Sequence, residues 1–132
     1  MDVTPLVRQG SKIIQSYADG KFRISGEIFE GGVVVSPESV SLWQSPPHIS
    51  GIAEDHFLAL ANMLEDFDII LMGTGPRLVF PTISVRAALK ARRLNFDFMD
   101  TGAASRTYNV LMAEGRKVSA ILMPFSAAGA PL

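Results

Sequence analysis

The chain has 132 residues, a formal net charge of -1, 48% hydrophobic and 19% charged residues, no cysteine and two histidines. That length suits one domain with a modest core, and the near-neutral charge, without a Lys/Arg run, argues against nucleic acid or an anionic membrane surface as partner. Absent cysteine excludes disulfides, thiolate metal sites and thiol catalysis, isolated histidines argue against a His-rich metal site, and no apolar run approaches the ~20 residues that span a bilayer.

The elements then read in chain order. Residues 1–12 are expected to fray, and Met1 to Gly10 lacks the charge and apolar pattern of a signal peptide, so a cytoplasmic protein is expected. Phe22, Ile24 and Ile28 share one parity, with Gly26 in the same register, which predicts a strand with one buried face. Asp19-Gly20 before it and Gly31-Gly32 after it are turn signals. Val33 to Val35 and Val40 to Trp43 predict two more strands around a Ser36-Pro37-Glu38 turn, completing a hairpin or meander. Pro46-Pro47-His48 breaks regular structure, because consecutive prolines lack donors and push their predecessors toward extended conformations.

The remainder alternates helix and strand. Phe57, Leu60, Ala61 and Leu64 recur at helical spacing and predict one helix over 53–64, with Glu54 and Asp55 in its first turn. Asp68 opens Ile69-Ile70-Leu71-Met72, the continuous apolar run of a strand covered on both faces. A helix capped by Thr82 or Ser84 and running to about Arg93 follows, then a strand over Asn95 to Met99. The next helix is capped by Asp100 or Thr101 and stops near Gly115; Val118 to Met123 forms the last strand, and 126–132 is expected to fray. The predicted fold class is α/β: a single domain with a mixed, mostly parallel central sheet, helices on its faces and an N-terminal β-hairpin or meander.

Two polar clusters fall just after strands of this sheet, where open α/β sheets bind ligands. The first is Gly73-Thr74-Gly75-Pro76-Arg77. A dinucleotide fingerprint needs its third glycine at Leu78, and no Walker lysine is present, so no nucleotide cofactor is expected. Two readings stay open for the glycines: a tight, closely packed turn, or contact with a ligand. The second cluster runs from Asp100 to Asn109. Asp100 can cap the helix or meet a ribose hydroxyl. Arg106 lies near the positive end of the helix dipole and favours an anion, either Asp100 or an external carboxylate or phosphate that Arg77 also approaches. Ser105, Arg106 and Asn109 can share a polar face, which is equally the pattern of a solvated helix surface, while Tyr108, Leu111 and Met112 continue a core spacing. His48 and His56 have no positioned nucleophile beside them, and paired carboxylates at catalytic spacing are not evident. The candidate ligand-binding set is therefore Gly73, Thr74, Gly75, Arg77, Asp100, Thr101, Arg106, Thr107, Tyr108 and Asn109, with no catalytic or metal residue.

Gly73-Thr74-Gly75-Pro76-Arg77, Met99-Asp100-Thr101, Arg106 to Leu111 and Glu114-Gly115-Arg116 together resemble the Mth-domain family of small α/β proteins of poorly defined function. The Phe22 to Val35 strands and the Trp43 region resemble it as well. The resemblance implies a compact α/β domain without established catalytic residues, and its mitochondrial relatives include an assembly factor for respiratory complex I. Ser105 stands where relatives often carry cysteine, so a thiol-dependent idea cannot apply here. No Arg- and Ser-rich amphipathic leader is present, which favours a bacterial-type cytosolic homologue. The expected function is a non-enzymatic binding or assembly module that recognises a protein partner through an apolar surface beside the Arg77/Arg106 corner, without nucleic acid or membrane insertion. The rival is a small-anion or enzymatic site formed by Arg77 and Arg106.

Overall fold

The structure, a computed structural model, describes residues 10–58 and 60–124. The expected frayed ends lie outside those residues except for positions 10–12, where the Lys12 amide donates to the Pro37 carbonyl at 3.0 Å.

The parity of Phe22, Ile24 and Ile28 misleads about chain direction. Ser25 and Gly26 both take positive φ, +46° and +88°, a pair that matches the twist of a two-residue hairpin. The single strand expected there is a hairpin instead: β2 (Lys21–Ile24) and β3 (Glu27–Glu30) pair antiparallel, Phe22 opposite Phe29. The Asp19-Gly20 turn, in the same left-handed region, returns β2 along β1 (Ile14–Ala18), a strand absent from the sequence-based expectation. Of its five residues only Ile14 is buried, so it offers no period-2 pattern. β1-β2-β3 form a separate three-stranded sheet, whereas the other two strands of the expected meander, Val33–Val35 and Val40–Trp43, belong to the second sheet.

Five strands form the second sheet in the order β5-β4-β8-β6-β7. Here β4 is Gly32–Val35, β5 Val40–Trp43, β6 Ile69–Gly73, β7 Phe96–Met99 and β8 Val118–Leu122. It is mixed rather than mostly parallel in its pairing: β6 is parallel to β7 and β8, whereas β4 is antiparallel to β5 and β8. The reason is the tight Ser36–Ser39 turn, closed by Ser36 and Ser39 amides and carbonyls, which forces β5 to run back along β4. The last strand in sequence lies centrally, and all five of its residues are buried.

Side-chain alternation divides the core into two. Val34, Ile70, Met72 and Ile121 face Phe57, Leu64, Val85 and Leu89, whereas Val33, Val35, Leu71, Ala120 and Leu122 face Phe22, Ile24, Ala104, Tyr108 and Met112. The first side carries α1 (Asp55–Leu58), α2 (Ala61–Leu64) and α3 (Ile83–Ala91); the second carries α4 (Thr101–Ala113) and the meander.

The single helix expected over 53–64 is two short segments. The Trp43 indole donates to the His56 carbonyl at 2.8 Å, and the Leu60 amide turns to Phe57 instead of His56. A tertiary donor has taken the acceptor that an uninterrupted helix would use at that turn. Both other helices start as expected, with the Thr82 hydroxyl accepting from the Val85 amide and the Asp100 carboxylate from the Ala103 amide at 2.8 Å.

Candidate functional site at the strand ends

The two polar clusters meet where β6, β7 and β8 end. Gly73 closes β6, and its carbonyl accepts from the Met123 amide at 2.9 Å. A Cβ at Gly73 would lie 2.9 Å from Leu122 Cδ2 and 3.0 Å from Thr101 Cα, so the approach of α4 to the sheet requires glycine. Thr74 is buried; its amide donates to the Met99 carbonyl, and its hydroxyl lies 2.7 Å from the Arg77 carbonyl and 3.1 Å from that of Met99. The same Thr74 Oγ1 accepts from the Val79 amide at 3.2 Å.

Thr101 is the centre of the corner and fully buried. Its hydroxyl donates to the Met123 carbonyl at 2.6 Å and accepts from the Gly75 amide at 2.9 Å, while its own amide donates to the Gly75 carbonyl at 2.9 Å. One side chain thus joins the ends of β6, α4 and β8. Ser105 donates back to the Thr101 carbonyl at 2.7 Å.

The second half of the motif serves a different contact. Asn109 mimics a strand partner: its Oδ1 accepts from the Ile14 amide at 3.0 Å and its Nδ2 donates to the Ile14 carbonyl at 2.8 Å. Tyr108, wholly buried, donates its hydroxyl to the Lys12 carbonyl at 2.8 Å, and burial pushes the phenol up from its ordinary pKa. Arg106 donates to the Tyr17 hydroxyl at 3.2 Å, and that ring lies over Gly102, where a Cβ would meet the hydroxyl at 2.5 Å. Thr107 is half-buried on α4. Three side chains of α4, Arg106, Tyr108 and Asn109, therefore hold β1 and its approach.

Asp100 is committed to the helix start, and among the described residues no carboxylate lies within ion-pair distance of Arg106; Arg92 with Glu54, 3.0 Å apart, is the ion pair seen there. Arg77 is exposed beside a cleft of about 270 Å³ lined also by His48, Ser50, Gly75, Val79 and Pro124. Arg106 does not line this cleft and instead faces Tyr17 on the meander side. Gly73, Thr74, Gly75, Asp100 and Thr101 are brought together, whereas Arg106, Tyr108 and Asn109 project toward β1. His56 is occupied locally, its Nδ1 within 2.9 Å of the Ala53 amide.

An apolar surface was expected beside this corner, but the residues that form it were not named. Leu78, Val79, Phe80 and Ile83 are 48%, 40%, 56% and 76% exposed, four large apolar side chains within one short segment after β6. For Leu78, Val79 and Phe80 the signal was an apolar run between Pro76 and Pro81, where neither strand nor helix was expected, and Ile83 opens the helix that follows. Phe80 packs edge-on against Phe98, with centroids 5.8 Å apart, and the Arg86 guanidinium lies 5.5 Å from the Phe80 ring centroid.

The combination of a mixed five-stranded sheet, a covering meander and a helix docked through a buried threonine defines a compact α/β class. The chain belongs to the family described as protein of unknown function (DUF498/DUF598), whose model matches residues 14–123. An uncharacterised Rhodobacter capsulatus protein is 32% identical over 119 residues, covering 90% of each chain. NADH dehydrogenase (ubiquinone) 1 alpha subcomplex assembly factor 3 of Homo sapiens is 32% identical over 111 residues, which cover 84% of this chain and 60% of that protein. The fold matches that of a Bordetella pertussis protein described as a Mth938-like domain, with a TM-score of 0.75 and 24% identity over all of this chain and 96% of the other. The Mth-domain resemblance is thereby borne out. Among the described residues no helix is long and apolar enough to cross a membrane.

Proposed function

We propose that this protein is a non-enzymatic binding or assembly module that docks a protein partner on the apolar segment 78–83 beside Arg77. The exposed cluster of Leu78, Val79, Phe80 and Ile83 carries the proposal. Contiguous apolar surface of this kind on a small domain marks an interaction site, because leaving it in water costs free energy that a partner recovers. The polar groups of the neighbouring corner support the same reading: Thr74, Asp100, Thr101 and Asn109 spend their hydrogen bonds on the fold itself. Assembly activity in the human relative, of which this chain spans about 60%, adds support from similarity.

The test is affinity capture of the tagged protein from its native organism, with a Phe80→Asp/Ile83→Asp variant in parallel. A co-purifying protein lost from the variant, at an unchanged circular-dichroism melt, is the expected result. Recovery of the isolated protein under every native condition, or a partner retained by the variant, would sink the reading.

The cleft beside Arg77 favours a second reading, a small anion held by that guanidinium with the Gly75 segment. It predicts thermal stabilisation by phosphate or a carboxylate that Arg77→Ala abolishes. Arg106 enters that reading only through movement of Tyr17, with which it is hydrogen-bonded.

A further inference from the structure

The apolar segment runs into an open sheet edge. Among the described residues β7 ends the five-stranded order and pairs on one side only. The Asn95 and Met99 carbonyls accept from the Ile70 and Thr74 amides, so in a parallel ladder the intervening Phe96 and Phe98 turn their own amides and carbonyls away from β6. Between this edge and α3 lies a groove of about 460 Å³, lined by Arg86, Lys90, Asp97, Phe96 and Phe98 among others. Phe96 and Phe98, which line it, stack with centroids 6.0 Å apart, and Phe80, outside its lining, packs edge-on against Phe98.

Four charged residues line the groove, Arg86, Lys90, Asp68 and Asp97, and their placement sets which charges an occupant carries on each face. Arg86 and Lys90 stand four apart on the exposed side of α3, a like-charge pair that disfavours its own helix, and among the described residues neither has a carboxylate partner. Asp97 alternates to the opposite face of β7 and is exposed. A second copy adding its β7 antiparallel would place both Arg86/Lys90 rows on the same side of the joined sheet, cation against cation.

We infer that the groove between β7 and α3 takes an extended segment of a protein partner as an added β-strand, with acidic or apolar side chains toward Arg86 and Lys90 and basic ones toward Asp97. The inference rests on the docking reading above and specifies how the partner binds. Main-chain hydrogen bonds to Phe96 and Phe98 supply the register, and alternating side chains supply selectivity.

The probe is the peptide Ac-Lys-Val-Lys-Glu-Lys-Val-NH2, titrated into isotope-labelled protein and followed by amide exchange. Saturation is expected to slow exchange at Phe96 and Phe98 by at least ~10-fold. N-methylating one alternating set of peptide amides is expected to abolish binding while the other set is tolerated, and the charge-swapped peptide Ac-Glu-Val-Glu-Lys-Glu-Val-NH2 is expected to bind at least ~10-fold more weakly. No binding at millimolar peptide, binding without protection at Phe96 and Phe98, or indifference to the N-methyl position would overturn strand addition. Protection of those amides in a peptide-free dimer would overturn it too, since the occupant would be a second copy. A natural partner that is captured through Phe80 and Ile83 but leaves Phe96 and Phe98 exchanging freely would keep the docking reading and remove this one.

Discussion

Thr101 shows how much of the corner depends on single atoms. Its hydroxyl is the partner of both the Gly75 amide and the Met123 carbonyl in a fully buried setting, so Thr101→Val leaves two backbone groups without partners. The expected loss is about 1–3 kcal/mol in urea unfolding, with most of it restored by Thr101→Ser; an unchanged midpoint for the valine variant would refute this role. Tyr108 gives a pH dependence. Its folded pKa is raised by burial, so the folded state holds the phenol proton where the unfolded chain releases it. Stability from this group is complete below the ordinary phenol value of 10.0 and declines as pH rises from there toward the folded value. Alkaline titration of the melt is expected to show that decline, and Tyr108→Phe to flatten it. The Asp100 cap was legible in sequence because its acceptor contact is three residues away, whereas the Thr101 hydroxyl was not, because Met123 is 22 residues distant.

At the scale of elements, β1 is the strand that sequence pattern did not reveal and α4 is what holds it. Asn109 takes both backbone groups of Ile14 into a side-chain amide, as a neighbouring strand would. Asn109→Leu is expected to cost about 1–3 kcal/mol and to speed exchange at the Ile14 amide far more than at Leu71 in the central sheet. Equal effects at both sites would mean that Asn109 supports the fold in general and not β1. The split of 53–64 follows the same logic from the other side of the sheet. Helical spacing placed Phe57 and Leu64 correctly toward the core, but the Trp43 indole competes for a carbonyl inside the run. Periodicity reports which face is buried; it carries no information about a donor arriving from a different strand.

For the whole molecule, both cores share the five-stranded sheet, with Val33 and Val34 on successive faces of one strand. Loss of either covering layer exposes the sheet that supports the other, so thermal unfolding is expected to be one cooperative transition. Trp43 fluorescence, which reports the side covered by α1, α2 and α3, should coincide with far-ultraviolet dichroism; two separated midpoints would show that the meander unfolds as its own unit.

Local chemistry was enough for the class of fold, the strand cores of β4, β6 and β8, and the caps of α3 and α4. These depend on alternation, turn residues and spacing within a few positions, which a linear chain displays directly. Tertiary structure decided the rest: the hairpin hidden at Ser25-Gly26, the break before α2, the mixed pairing, and the fate of the two polar clusters. Arg106 is the clearest case. Its place near a helix start favours an anion, and among the described residues the group that meets it is the hydroxyl of Tyr17, 89 residues earlier in sequence. A dipole argument sets what charge a position favours, but only the packed chain determines which group is there to meet it.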